Sequence, residues 1–127
     1  MILKNSLYTI KSAKVFGAEA SYDIELNAGH FIYQAHFPGE PITPGVCIVQ
    51  IAMELLEEVV GKRLQLAKVK NVKFLSVVTP TQSTAVTFQL VKIVENEAEG
   101  TVKAQAVVTS EGEVKAKLSF ICTCSQK

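Results

Sequence analysis

Fifteen consecutive residues, 46–60, carry only four polar side chains, and this block limits what the whole chain can become. Val46, Ile48, Val49, Ile51, Ala52, Met53, Leu55, Leu56, Val59 and Val60 cover most of the circumference of a helix. A helix that apolar is enclosed by other structure instead of lying on a surface. Gly61 follows the last apolar pair and reads as its C-terminal cap. The polar positions Gln50, Glu54, Glu57 and Glu58 form a single stripe, and a charged stripe on a helix reads first as a solvated face. One helix cannot enclose itself, so the rest of the chain must supply the cover.

The rest reads as strands. Residues 7–16 and 20–26 form a strand pair, with a further short strand at 31–35. After Leu66 the pattern is β throughout: 69–78 is rich in β-branched residues, and Thr84, Val86, Phe88 and Leu90 alternate with neighbours on the other face. Val102, Ala104, Ala106 and Val108 alternate next, then Val114, Ala116, Leu118, Phe120 and Cys122. Turns fit at 79–82, 95–97 and 110–113. The order is two or three strands, one buried helix and a four-strand meander. It specifies one α+β domain over residues 1–127, an antiparallel β-sheet wrapped around one long central helix. Half of the helix and one sheet edge stay uncovered in a single copy, so dimerisation is expected.

Composition excludes several classes. The net charge is +1, from 13 basic and 12 acidic residues, which does not suit a phosphate-backbone binder. Lys68-Val69-Lys70 and Lys115-Ala116-Lys117 alternate with apolar residues and read as solvated strand faces. Cys47, Cys122 and Cys124 have no metal-ligand spacing and read as small core residues in a reducing compartment. Residues 1–5 lack the apolar core of a signal peptide, and 41–53 is too short and Pro-broken for a membrane span. A soluble cytoplasmic protein is expected.

Chemistry concentrates just before the helix. His36-Phe37-Pro38-Gly39-Glu40-Pro41-Ile42-Thr43-Pro44-Gly45 puts an imidazole among three prolines and two glycines, which limit the freedom of the loop. An unperturbed imidazole has a pKa of about 6.5, so its neutral form is available as a base near pH 7. The first amide N–H groups of the helix, at Gly45 and Val46, have no partner within it and can polarise a carbonyl. His30 has no such setting and reads as a turn or surface residue. Cys47 lies in the first helical turn, where the dipole favours a thiolate, but core packing is the preferred reading.

The motif His36-Phe37-Pro38-Gly39-x-Pro41-Ile42-x-Pro44-Gly45-Val46, followed by an apolar helix, resembles the signature of the (3R)-hydroxyacyl-acyl carrier protein dehydratases of the hotdog fold. Tyr33-Gln34 upstream, and Val72-Lys73-Phe74 with Val78-x-Pro80 downstream, extend the likeness. Ala35 stands where that family usually has glycine. Gln50 stands where its helix carries a catalytic glutamate, or aspartate in one branch. One turn later, where the family often has glutamine, this chain has Glu54. The acid and the amide are exchanged.

The resemblance implies a hotdog homodimer, with a trimer of dimers as a higher state, acting on 3-hydroxyacyl thioesters of acyl carrier protein or coenzyme A. No nucleic acid, membrane, metal or redox cofactor is implied. His36 of one chain would face Gln50 and Glu54 of the other, and Phe37, Gly45, Val46, Val49, Met53 and Phe74 would contact substrate. Dehydration needs a base at the carbon beside the thioester and an acid at the departing hydroxyl. An amide cannot supply a proton, and losing a general acid costs on the order of 10²–10⁴ in rate. Three readings therefore stay open. Glu54, roughly 6 Å further along the helix, is the acid; or Gln50 orients the hydroxyl while His36 handles both transfers; or the chain binds acyl thioesters without dehydrating them. Thioester hydrolysis at the same helix end is a further alternative.

Overall fold

The structure, a computed structural model, describes residues 2–35 and 39–125. Among these residues, two helices and six strands follow in the order β1 (Tyr8–Phe16), β2 (Glu19–Leu26), α1 (Ile32–Ala35), α2 (Gly45–Val60), β3 (Leu64–Phe74), β4 (Ala85–Asn96), β5 (Thr101–Ser110) and β6 (Glu113–Cys124). All strands join one antiparallel sheet in the order β1-β2-β4-β5-β6-β3. The inward residues of the sheet are the ones that alternation selects: Val86, Phe88 and Leu90, then Val102, Ala104, Ala106 and Val108, then Ala116, Leu118, Phe120 and Cys122. They share one core with Ile48, Ile51, Ala52, Leu55 and Leu56 of α2. Burying each large side chain contributes about 1.5–3 kcal/mol. Every strand pairing except β2–β4 contains a register shift. Such bulges add twist, which a sheet needs to bend around a helix.

The helix begins at Pro44, whose extended backbone (φ −61°, ψ 146°) precedes the first turn. It ends at Gly61, which takes φ 68° and donates its N–H to Glu57 O at 2.9 Å. A side chain is strained in that left-handed cap.

The structure corrects the sequence reading at several points. The four strands after the helix are not a simple meander, because β3 lies beyond β6 at the sheet edge. β3 also starts and stops earlier than 69–78, and Leu75 and Ser76 turn their N–H groups to Lys115 O at 2.8 and 3.2 Å. The segment 31–35 is the short helix α1 and not a strand. Local hydrogen bonds decide this: His30 Nδ1 accepts Ile32 N–H at 3.1 Å, and Gln34 and Ala35 N–H both reach Phe31 O. His30 is a turn residue, as expected, with Nε2 on Ser6 Oγ. The turn expected at 95–97 sits at 97–100, where Gly100 takes a φ of 68°. A bulge in β6 reverses the alternation at 114–115, so Val114 is exposed and Lys115 is buried. The Lys115 ammonium pairs with Glu113 at 2.7 Å and Glu111 at 3.7 Å, so it is not a solvated strand face.

Less of the helix is open than half. Val46 is exposed, Val49 and Gln50 are half-buried, and α2 is otherwise mostly enclosed. Both edge strands, β1 and β3, remain largely exposed. Among the described residues no helix is long and apolar enough to cross a membrane.

Candidate active site

Hydrogen bonding inside α2 starts with Cys47 and Ile48 N–H on Pro44 O, at 2.9 and 3.2 Å. The amide N–H groups of Gly45 and Val46 lie ahead of these bonds, at the positive end of the helix dipole. Phe74, at the end of β3, lays its ring over Gly45: a Cβ added there would stand 2.7 Å from Cζ and 2.9 Å from Cε2. A side chain at position 45 would therefore have to push the half-exposed Phe74 ring aside. Gly45 and Phe74 line an apolar cleft of about 420 Å³ with Ile42, Thr43, Ile48 and Val78. Two expected substrate contacts are thus brought together, while Val46 points to solvent and Val49 packs partly against the core.

Gln50, Met53 and Glu54 line a second cleft, of about 370 Å³, with Ile2, Leu64 and Leu66. Glu54 is only 5% exposed, which corrects the solvated-stripe reading. Its carboxylate accepts four donors: Leu3 N–H at 2.8 Å, Lys4 N–H at 2.9 Å, the Tyr8 hydroxyl at 2.9 Å and Gln50 Nε2 at 2.8 Å. The rest of the stripe also has partners. Glu57 accepts Leu64 N–H at 2.8 Å, and Glu58 pairs with the Lys4 ammonium at 2.7 Å on the surface. Burial, then the charge and hydrogen bond of Glu54, hold the Tyr8 hydroxyl above the ordinary tyrosine range, so it remains a donor.

His36 and Phe37 lie outside the described residues, but both ends of their loop are fixed. Tyr33, on α1, shares a buried hydrogen bond of 2.9 Å with Thr43, and Thr43 N–H reaches Val78 O at 2.8 Å. Tyr8, Tyr33 and Thr43 were not singled out by the sequence as members of the site. Tyr8 meets Glu54 across 46 positions of chain, so no local pattern announces the contact. Among the described residues no group of three His, Cys, Asp or Glu side chains is arranged to hold a metal ion.

The cysteines behave as packing residues. Cys47 and Cys122 are buried and Cys124 is half-buried. Burial pushes the Cys47 thiol up, against the direction a helix dipole favours. Burial first, then the nearby Glu57 charge and Cys124, push Cys122 up to about 12. An unfolded thiol ionises near 8.5. The stability Cys122 contributes is therefore present below that pH and lost as pH rises toward 12. A thiol reagent at pH 8 is expected to label Cys124 first and the other two only on unfolding. Melting between pH 8 and 10.5 is expected to show a steeper alkaline loss for the native chain than for Cys122→Ala. Equal slopes would remove Cys122 as the cause.

One long helix enclosed by a six-stranded antiparallel sheet, with a loop and a glycine at its N-terminal end, defines a hotdog-fold protein. Solved structures agree: the dehydratase heterocomplex ApeI:P from Xenorhabdus doucetiae superimposes with a TM-score of 0.69, at 14% identity, covering 90% of this chain and 96% of that one. A hypothetical thioesterase with coenzyme A from Streptococcus pneumoniae gives 0.64 at 13% identity, over 93% and 85%. In sequence, the ApeI-like family, described as ApeI dehydratase, matches residues 12–118. The 3-hydroxyacyl-acyl-carrier-protein dehydratase FabZ of Clostridium acetobutylicum is 33% identical over 97 residues, 71% of this chain and 67% of that protein. The chain belongs to the ApeI-like dehydratase family.

Proposed function

We propose that this protein dehydrates 3-hydroxyacyl thioesters carried by acyl carrier protein or coenzyme A. The family match over residues 12–118, which contains the whole of 36–50, carries this reading. In the proposed step the thioester carbonyl lies at the N–H groups of Gly45 and Val46. The His36 imidazole takes the C2 proton, the C3–O bond breaks, and the same proton returns to the departing hydroxyl as water. Gln50 orients that hydroxyl, since its amide can hydrogen-bond but not protonate. Glu54 is not assigned the acid role, because four donors already occupy its two oxygens. The acyl chain follows the apolar surfaces of Gly45, Phe74, Val49 and Met53, with Phe37 and Val46 at the mouth.

A homodimer joined through β3 completes the site in this reading. It would cover the exposed edge together with Val46, Leu66, Val72 and Phe74, all more than 40% exposed.

The test follows enoyl formation and thiol release from the same 3-hydroxyacyl thioesters, on carrier protein and on coenzyme A. Enoyl product without thiol release is expected. Thiol release alone would replace dehydration with hydrolysis. Saturable binding with neither product would make this chain an acyl-thioester binder.

A further inference from the structure

Gln50 and Glu54 stand one turn apart on α2, and Gln50 Nε2 donates to Glu54 Oε2 at 2.8 Å. A carboxylate oxygen only accepts, so the end of the Gln50 amide that faces it must be the nitrogen. The contact therefore fixes the direction of the amide dipole, with the nitrogen toward Glu54 and the carbonyl oxygen away from it. Glu54 cannot turn to release its neighbour. Oε2 also accepts Leu3 N–H, and Oε1 holds Lys4 N–H and the Tyr8 hydroxyl, all at 2.8–2.9 Å. Two of these donors are backbone groups, and Leu3 is buried, so the clamp comes from a chain segment instead of a movable side chain.

We infer that Glu54 is a positioning residue for Gln50, the two forming one donor–acceptor unit anchored to residues 3–8. The inference rests on the proposal that Gln50 stands at the reaction centre, and adds the residue that orients it. The unit has a polarity. Exchanging its members keeps one amide donor against one carboxylate acceptor. Either single substitution breaks the match. Gln50→Glu sets two carboxylates one hydrogen bond apart, and Glu54→Gln leaves Leu3, Lys4 and Tyr8 with one amide oxygen for three donors.

Among the described residues, the charged and titratable groups around the pair are Tyr8 of β1, Glu57 and Glu58 of α2, Lys4, Arg63 at the cleft rim and His30, which holds Ser6 of the anchoring segment; His36 joins them in the proposed site. All remain in each variant, so differences between variants report the pair itself. The experiment measures thermal unfolding of the full chain from pH 5 to 8 for native protein, Gln50→Glu, Glu54→Gln and the double exchange. Each single variant is expected to lose roughly 5 °C or more at pH 7. The double exchange keeps the three-donor deficit of Glu54→Gln but relieves the carboxylate clash of Gln50→Glu, so its loss should fall clearly short of the sum of the two single losses. Gln50→Glu alone should regain stability as pH falls, because two adjacent carboxyl groups share a proton and one then titrates well above its usual range.

Turnover supplies the readout that a purely structural role would not move. Glu54→Gln, assayed where it is fully folded, should lose about tenfold or more in kcat with KM within about twofold. Additive losses in the double exchange would overturn the inference, as would a Gln50→Glu profile parallel to native protein or an unchanged kcat in Glu54→Gln. The two proposals fail separately. A native chain without turnover whose exchanged pair loses less than the sum of the single variants loses the dehydratase reading and keeps the pairing.

Discussion

Replacing Glu54 with leucine is expected to lower the free energy of unfolding by about 3–5 kcal/mol, a large share of the stability of a domain this size. Leucine roughly keeps the volume, so the loss is polar. Leu3 N–H, Lys4 N–H, the Tyr8 hydroxyl and the Gln50 amide all lose an acceptor at once. A buried donor left unsatisfied costs about 1–3 kcal/mol. The sum is limited because the chain has a cheaper escape: residues 2–8 can undock, rehydrate their amides and expose Leu3 and Leu7. Hydrogen exchange is therefore expected to accelerate across 3–8 before global unfolding, and urea melts should show the reduced stability. Glu58→Leu is the control. It removes only the exposed pair with Lys4, worth no more than about 1 kcal/mol. If Glu54→Leu costs no more than Glu58→Leu, the buried carboxylate does not anchor the N-terminal segment.

The second large effect is on rate. With His36→Ala, dehydration is expected to fall by a factor on the order of 10²–10⁴, with the melting temperature little changed. In the proposed mechanism one imidazole performs both proton transfers, so no second group compensates. The Tyr33–Thr43 bond ties together the described residues on either side of His36. A base is active when deprotonated, so kcat/KM for the native chain should fall on the acid side as the imidazole takes up a proton. A loss under tenfold, or an acid limb that His36→Ala leaves unchanged, would rule His36 out as the base.

What could be read from the chain was whatever is written locally. The helix was legible because apolar residues recur through 46–60 and Gly61 stops them. The inner faces of β4, β5 and β6 were legible because a strand repeats every two residues. The bounds of β3 and its place beside β6 escaped because bulges at 66–68 and 69–71 break its alternation, and because a strand does not state its partner. α1 escaped because a histidine side chain, not a usual capping residue, accepts its first N–H. Glu54 was misread for a different reason. A helical stripe shows which residues share a face but not what lies upon it, and the covering segment is some fifty positions away. The candidate site divides in the same way. Gly45 and Phe74 could be named from the motif, whereas Tyr8 and the backbone of Leu3 and Lys4 enter only through tertiary structure.

The bulge at Lys115 acts as an indexing stop for the far edge of the sheet. Its carbonyl takes the N–H groups of Leu75 and Ser76, which sets where β3 ends and so which residue lands over Gly45. A slip of one residue between strands sends each side chain to the opposite face. Phe74 pairs with Ala116, next to the stop, so the gauge of the apolar cleft is set from a hairpin on another strand. Length variation is tolerable in the turn at Glu111 and Gly112, which lies outside this indexing. Between Lys115 and Leu118 the same single residue would swing the ring off the helix end and leave the cleft without its wall.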